Sequence, residues 1–394
     1  MVLRKEMFDL PEGVLYLDGN SLGPLPKAAQ ARVSGMIADE WGQMLIRGWN
    51  DAGWMAQPAR IGDKVGRLIG APAGSVVMGD TLSIKVYQAV ASALKMRPGR
   101  KVILSDTGNF PTDLYMVQGL INTLDQGYEL KTVAPEDVAG AIDDTIATVM
   151  LTEVDYRTGR KHDMKAITEI AHANGAVMIW DLAHSAGAVP VDLAASNCEM
   201  AVGCTYKYLN GGPGAPAFIY LRPDLAAEVQ PALAGWLGHD APFDFDPDYR
   251  PAGGIERMRV GTPPIIQLAA LEAAMDIWDG VDMAEVRKAS IALQELFIKE
   301  VEARVPALTL ASPRDAQQRG SQVSFRFEEG YAAMQALIAR GVIGDFRAPD
   351  TMRFGFTPLY LDEADVLAAV AHIETVMRDK LWDDPQYRKR SRVT

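Results

Sequence analysis

The fold is decided by residues 176–187, AVMIWDLAHSAG, and residues 200–214, MAVGCTYKYLNGGPG. Each stretch opens with a short apolar run typical of a buried strand and continues into small and polar residues that favour a turn. Upstream, Asp163 can cap a helix that Gly175 closes, and the apolar run 147–151 precedes that helix. Strand, helix and strand in this order form a βαβ unit, so the sequence predicts a parallel sheet with helices on its faces.

The regular alternation of strands and helices ends near Gly261. Before it, the strand-like runs are 76–78, 102–104, 147–151, 176–180, 200–202 and 217–221. After it, helical patterns at 265–278, 284–305, 332–340 and 362–381 surround strand-like runs at 322–327 and 351–356, and the basic run 389–392 is interpreted as a solvated tail. The chain is therefore predicted to have a large α/β domain followed by a smaller α+β domain.

The charge and the cysteine content exclude several classes of protein. With 39 basic and 51 acidic residues the formal net charge is −12, which repels nucleic acids and anionic membranes. Cys198 and Cys204 are the only cysteines, too few for the disulfide framework of a secreted domain. Charged residues within positions 4–9 interrupt any apolar signal core, and no apolar stretch is long enough to span a bilayer. We expect a cytoplasmic protein with no nucleic-acid, membrane or metal partner.

Two residues that follow predicted strands carry the chemistry. Asp181 comes directly after one strand, at the edge where open α/β sheets bind ligands, and Lys207 follows the next strand and precedes a glycine-rich turn. Pyridoxal phosphate requires such a pair, because a lysine amine joins its aldehyde and a carboxylate keeps its ring nitrogen protonated. Alone, Asp181 fits an ordinary helix cap, Lys207 a surface lysine and His184 a buried polar residue. In this order they predict a pyridoxal-phosphate site.

Four further motifs resemble the kynureninases, a family of fold type I, aminotransferase-like pyridoxal-phosphate enzymes. They are YLDGNSLGP at 16–24, NFPTDLY at 109–115, GWLGH at 235–239 and TPP at 262–264. The resemblance covers nearly the whole chain. Together these motifs are specific, whereas Asp181 and Lys207 would serve any enzyme of the superfamily.

The resemblance implies a fold, an assembly and an activity. The fold is α/β of fold type I, with a large cofactor-binding domain at 41–270, built on a mostly parallel seven-stranded sheet flanked by helices, and a smaller α+β domain at 271–394. Residues 1–40 would contribute to the active site and to the interface of a homodimer with shared active sites. The activity is hydrolysis of L-kynurenine to anthranilate and L-alanine in tryptophan catabolism, with 3-hydroxy-L-kynurenine as a second candidate substrate.

The resemblance also implies a role for each candidate residue. The catalytic residues would be Lys207, which forms the Schiff base, Asp181, which faces the ring nitrogen, and Tyr206, which relays a proton. The cofactor would further be held by Leu82 and Ser83 at a helix start, Tyr206, Phe110, Pro111, Thr112, Asp113, Thr152, His184 and, across the dimer interface, Trp236 and Thr262. The substrate would be bound by Ser21, Trp49 and Arg353, whose planar guanidinium suits an α-carboxylate. Asp155 is a weaker candidate than Thr152 for a contact with the cofactor. Judged only from its position in a predicted strand, Arg353 would be an outward-facing residue.

Two positions depart from the family pattern, and two other functions stay open. Trp49 stands where some members have a histidine, which leaves the preferred ring substituent open, and Lys85 stands where an asparagine is common. One alternative is a related lyase, desulfurase or aminotransferase, although a desulfurase needs a mobile cysteine in the small domain and both cysteines here lie near Lys207. The other is a catalytically silent binding protein, against which the intact Lys207, Asp181 and Arg353 argue.

Overall fold

The structure of the chain, a computed structural model, describes residues 2–390, so the predicted tail at 389–392 lies partly outside the described residues. Its main helices are α1 (Lys27–Gly35), α2 (Gln57–Leu68), α3 (Leu82–Met96), α4 (Pro111–Leu124), α5 (Met164–Ala173), α6 (Ile265–Met275), α7 (Met283–Arg304), α8 (Gly330–Ile338) and α9 (Glu363–Arg378). Shorter helical segments include a π-helix at Met36–Met44 and single turns at Gly48–Asp51, Val138–Ala141 and Leu193–Ser196.

A seven-stranded sheet forms the centre of the large domain. Its strands are β1 (Val76–Met78), β2 (Val102–Asp106), β3 (Glu129–Val133), β4 (Ile146–Thr152), β5 (Val177–Asp181), β6 (Met200–Gly203) and β7 (Phe218–Leu221), in the order β1-β7-β6-β5-β4-β2-β3. β7 runs antiparallel to both of its neighbours and the other pairs are parallel. The mostly parallel sheet and all six strand-like runs are thus confirmed. The sequence does not reveal β3, because it lies at the sheet edge and mixes polar with apolar residues.

The predicted βαβ unit that leads into β5 is present. Asp163 Oδ1 accepts a hydrogen bond of 3.0 Å from the backbone N–H of Ala166 at the start of α5, and Gly175, with φ of 72°, ends the connection. Successive residues of β5 alternate between two apolar clusters, one on each face of the sheet. Because both faces are covered, the strand is fully buried and its carboxyl end delivers Asp181 to the edge of the sheet.

A second sheet of four antiparallel strands forms the smaller domain. Its strands are β8 (Thr309–Leu310), β9 (Gln322–Arg326), β10 (Asp345–Arg347) and β11 (Thr351–Gly355), in the order β8-β9-β11-β10. Phe297 of α7 packs against this sheet, with its ring centroid 5.1 Å from that of Phe354 and 6.0 Å from that of Phe325. The sequence predicts β9, β11 and the helices, but β10 is too short and too charged to be recognised.

The N-terminal segment connects the two domains. Leu15–Tyr16 pairs in parallel with Val342–Ile343, and the backbone N–H of Gly23 donates to the carbonyl of Tyr206 at 2.8 Å. The division into residues 1–40, 41–270 and 271–394 stays a prediction.

Among residues 2–390, the structure holds no helix long and apolar enough to cross a bilayer, and no cluster of three or more His, Cys, Asp and Glu side chains placed to bind a metal ion.

Candidate active site

The carboxyl ends of β4 and β5 bring Thr152 and Asp181 together. The two residues are partners in the parallel register of these strands. Asp181 is only 1% exposed; its Oδ1 accepts from the backbone N–H of Ala183 at 2.9 Å, and its Oδ2 lies 3.2 Å from Thr152 Oγ1. The sheet topology alone therefore fixes the acid at this edge and places the Thr152 hydroxyl beside it, whereas the role of Thr152 toward the cofactor stays a prediction.

Asn109 holds the loop before α4 against the same edge. Its Oδ1 lies 2.5 Å from Thr152 Oγ1 and accepts from the backbone N–H of Phe110 at 2.7 Å, while its Nδ2 donates to Ser105 Oγ at 3.0 Å. Asn109 was absent from the predicted site residues, although it opens the motif at 109–115. Its signal was its place in that motif, two residues before the helix-starting Pro111.

Asp113 lies in the first turn of α4 and faces Asp181. Burial raises the pKa of Asp113 well above its ordinary value, and the charge of Asp181 raises it further. Burial also raises the pKa of Asp181, and the nearby Lys207 partly offsets this effect. Asp113 Oδ2 is buried and has no hydrogen-bond partner within residues 2–390. Two adjacent buried carboxyls of this kind are stabilised by a cationic N–H group, which the protonated ring nitrogen of pyridoxal phosphate would supply.

The ring of Phe110 has a face left open beside Lys207. It is 40% exposed and meets the ring of Tyr156 edge-on, with centroids 5.1 Å apart. The Nζ of Lys207 lies 6.0 Å from the Phe110 centroid and 5.6 Å from that of Tyr206. An exposed aromatic face next to a buried acid pair fits a flat heteroaromatic ring.

The amine of Lys207 is hydrogen-bonded to a neutral histidine. Its Nζ lies 2.9 Å from His184 Nε2. Burial lowers the pKa of His184 well below its ordinary value, and the charge of Lys207 lowers it further, so the imidazole is neutral and Nε2 accepts from the amine. His184 Nδ1 has no partner among the described residues, which leaves one ring position for a cofactor oxygen.

A hollow of about 400 Å³ lies next to the start of α3. Thr81, the residue before the helix, makes no side-chain capping bond within residues 2–390, which leaves the first backbone N–H groups of α3 available at its positive end. Leu82, Tyr206 and Ser21 line the hollow. Burial raises the pKa of Tyr206, which keeps its phenol protonated and able to donate. Free amides and a phenol around such a space suit a phosphate group. Ser83 is the second residue of the same helix, and the cofactor-binding roles of Leu82, Ser83 and Tyr206 stay predictions.

Arg353 lies near this centre but is enclosed. It is 1% exposed, and its Nε donates to Asp345 Oδ1 at 2.5 Å, while Nη2 contacts Asp345 Oδ2 and donates to Ser21 Oγ at 3.0 Å. Its Nη1 donates to the carbonyl of Tyr156. The interpretation of Arg353 as an outward-facing strand residue is therefore wrong, because β11 is an inner strand that is buried on both sides. Asp345 was not predicted, since β10 was not recognised.

Three predicted residues lie apart from this cluster. Trp49 packs edge-on against Trp54, with ring centroids 5.6 Å apart, Trp236 does the same with Phe243 at 5.7 Å, and Thr262 is exposed. Within residues 2–390, the hydrogen bonds of Lys207 and Asp181 involve none of them. Their predicted roles stay predictions.

Comparisons with known proteins give relatives along the whole chain. A family model described as the kynureninase C-terminal domain matches residues 286–373. Kynureninase from Pseudomonas fluorescens is 51% identical over 397 aligned positions, covering 99% of this chain and 95% of that protein. Kynureninase from Burkholderia pseudomallei strain 1106a is 49% identical with the same coverage.

Solved structures with the same fold are more distant in sequence. The apo cysteine desulfurase from Thermococcus onnurineus NA1 has a TM-score of 0.80 at 18% identity, covering 95% of this chain and 98% of that one. A cystine C-S lyase in complex with its product cysteine persulfide has a TM-score of 0.74 at 17% identity, covering 92% and 98%. At these identities the structures show the fold alone, and they confirm the predicted fold type I.

Proposed function

The chain belongs to the kynureninase family and has the activity of a kynureninase, and we propose that Lys207, Asp181 and Tyr206 perform its chemistry on L-kynurenine. The observation that carries this proposal is the meeting of the Lys207 amine, the buried Asp113 and Asp181 carboxyls and the open face of Phe110 at one sheet edge. The products would be anthranilate and L-alanine. Incubation of the purified holoenzyme with L-kynurenine, followed by identification of both products, tests it.

The cofactor is pyridoxal phosphate, and the residues around Lys207 fit it. When bound, it supplies an aldehyde that joins a primary amine and a protonated ring that accepts electrons from the bond being broken. Asp181 would hold the ring nitrogen, Phe110 would lie against the ring, and the free N–H groups at Leu82 and Ser83 would hold the phosphate. These roles of the side chains are proposals that the geometry supports.

Asp113 and Asp181 would together keep a proton on the cofactor ring. Asp181 is anchored by Ala183 and Thr152, so its carboxylate is presented in one orientation. Burial and the charge of Asp181 raise the pKa of Asp113 well above its ordinary value, so Asp113 favours the protonated form and leaves the negative charge of the pair on Asp181. We infer that Asp181 is the carboxylate that would meet the cationic N–H of the ring.

Lys207 would carry the cofactor and then act on the substrate α-proton. Its amine must be unprotonated to accept that proton. The hydrogen bond to the neutral His184 would hold the amine in position for this step. The neighbouring Tyr206, whose phenol stays protonated, would donate and recover a proton at the oxygen of the substrate's side-chain carbonyl.

Recognition of the substrate would depend on Arg353, Ser21 and Trp49. Arg353 and Ser21 share a hydrogen bond and would meet the α-carboxylate and amino end. Trp49 would meet the aromatic end, where its bulk leaves less room for a 3-hydroxyl group than a histidine would. We therefore propose that kynurenine is preferred over 3-hydroxykynurenine, which a comparison of kcat/KM for the two substrates tests.

A homodimer with shared active sites would complete the phosphate site. Exposed aromatic side chains form a patch, with Trp236 42%, Phe243 60% and Phe245 77% exposed, as is typical of an interface. Trp236 and Thr262 would reach the phosphate of the partner subunit. Mixing Lys207→Ala with Trp236→Ala subunits tests this, because a mixed dimer would contain one intact site and regain activity only if the sites are shared.

The buried, free Cys198 and Cys204 agree with the reducing cytoplasm that we propose as the location of the protein.

A cysteine desulfurase function, suggested by the fold alone, is disfavoured by the thiols. Cys198 and Cys204 are both buried, and burial raises the pKa of each. A buried thiol with a raised pKa is a poor nucleophile. Incubation with L-cysteine should therefore release no sulfide from this enzyme.

A further inference from the structure

The guanidinium of Arg353 is already occupied by a carboxylate. Of its five N–H groups, four donate within the chain: one to each oxygen of Asp345, one to Ser21 Oγ and one to the carbonyl of Tyr156. The contact with Asp345 is the bidentate one, formed through Nε and Nη2. A substrate α-carboxylate needs the same kind of two-pronged contact. In this arrangement Arg353 therefore has no unoccupied pair of N–H groups that could bind a second carboxylate.

Asp345 is charged and lies in register with Arg353. The two residues are partners across the antiparallel strands β10 and β11. Burial raises the pKa of the Asp345 carboxyl, but Arg353 and Arg347 more than offset it, so the net shift is downward. The group that fills the arginine fork is thus a carboxylate, the same chemical group that the substrate would present.

Arg347 offers Asp345 a second partner. It lies two residues along β10, so both side chains point to the same face of the strand. Its Nη2 is 2.8 Å from Asp345 Oδ2, and 34% of its side chain is exposed, whereas that of Arg353 is 2% exposed. Both arginines contribute to the lowered pKa of His184, which places them close to the Lys207 centre.

We propose that Asp345 is an internal counter-ion, which occupies the carboxylate-binding N–H groups of Arg353 until the substrate binds. Asp345 then stays paired with Arg347. This rests on the proposed role of Arg353 in binding the α-carboxylate. The exchange leaves no buried charge without a partner: the substrate carboxylate takes the Arg353 fork and Asp345 keeps Arg347. Asp345 and Arg347 are positioning residues, since neither needs to touch the reacting atoms.

The sign of one affinity change tests the proposal. An internal competitor weakens the apparent affinity of the site for its ligand, because the ligand can bind only while the competitor is not bound. Asp345→Asn should therefore tighten binding of L-alanine to the holoenzyme at least fivefold, measured by titration of the cofactor absorbance. Kynuramine, which lacks the α-carboxylate of kynurenine, is the matched ligand, and its affinity should change by less than twofold. Weaker L-alanine binding in Asp345→Asn would show that Asp345 orients Arg353, and would overturn the proposal.

A double-mutant cycle with Arg347→Met separates exchange from direct contact. In the wild-type background this change should weaken L-alanine binding at least threefold, because Asp345 loses its alternative partner. In the Asp345→Asn background it should have no effect. A persistent loss there would mean that Arg347 itself holds the ligand, which contradicts the exchange. Arg347 is partly exposed, so this half of the cycle remains available if Asp345→Asn fails to fold.

These measurements are independent of turnover. L-Alanine binding is read from the absorbance of the holoenzyme, whether or not kynurenine is cleaved. Failure of the wild type to cleave kynurenine would count against the proposed function, whereas unchanged L-alanine affinity in Asp345→Asn would count against the exchange alone.

Discussion

The contact between the N-terminal motif and the Lys207 loop can be tested with Gly23→Ala. A Cβ at this position would lie 2.4 Å from the carbonyl oxygen of Lys207, 2.5 Å from Asn210 Oδ1 and 2.6 Å from Asn210 Cα. Such distances are far inside van der Waals contact, and two of the atoms belong to the backbone. Either the motif at 16–24 or the Lys207 loop must therefore move.

The size of the effect follows from this clash. Overpacking a close contact costs about 1–3 kcal/mol, and displacement would also weaken the bond between Gly23 N–H and the Tyr206 carbonyl, which contributes about 1 kcal/mol. The free energy of unfolding should fall by about 2–4 kcal/mol. A shift of about 1 Å in a reacting group can lower a rate about 100-fold, so kcat/KM for kynurenine should fall by about that factor.

Urea unfolding of the holoenzyme and steady-state release of anthranilate measure these two effects. Gly119→Ala is the matched control, because Gly119 lies on the exposed side of α4 and a Cβ there meets no atom within 4 Å. This control should gain about 0.5–1 kcal/mol from helix propensity and keep full activity. If Gly23→Ala were as stable as the wild type and within threefold of its activity, the motif at 16–24 would not position Lys207.

Three further changes have defined outcomes. Lys207→Ala should abolish anthranilate release and the visible absorbance of the lysine-bound cofactor while circular dichroism stays unchanged; wild-type turnover would contradict its role. Arg353→Lys should raise KM for kynurenine at least tenfold, because a lysine offers no planar fork, and an unchanged KM would place the carboxylate elsewhere. Burial raises the pKa of Glu153 to about 7. The folded protein therefore holds the protonated side chain more tightly than the unfolded chain does, and the stability that this provides below the ordinary glutamate pKa is lost as pH rises through 7. The free energy of unfolding of Glu153→Gln, measured in urea, should therefore exceed that of the wild type by on the order of 3 kcal/mol at pH 8 and match it near about pH 4, and a difference independent of pH would refute the raised pKa.

The sequence predicts the residues at strand ends better than the contacts that close the site. Asp181 and Lys207 each follow an apolar run that is typical of a buried strand, so their meeting at one sheet edge follows from the topology. Asp345 could not be found in this way, because β10 has three residues and two of them are charged. Its role appears only when the register that pairs it with Arg353 is known.

A different limit applies to Trp49, Trp236 and Thr262. The motifs that contain them predict contacts with cofactor or substrate, yet inside one chain two of them pack against other aromatic rings and the third is exposed. If the site is assembled from two subunits, as we propose, these contacts cannot be derived from the fold of one chain. Their roles stay predictions that the subunit-mixing experiment addresses for Trp236.

One loop contacts both Phe110 and Arg353, which we propose to bind the cofactor ring and the substrate carboxylate. It leaves the end of β4 and is closed by the bridge between Val154 and Lys161, and Asp155 tightens its turn by accepting from the backbone N–H of Arg157 at 2.9 Å. At its centre, Tyr156 places its ring edge-on against Phe110 and its carbonyl on Arg353. Because both contacts come from a single residue, a shift of Tyr156 would affect Phe110 and Arg353 together. We therefore expect the spacing between the aromatic face and the guanidinium to depend on this loop.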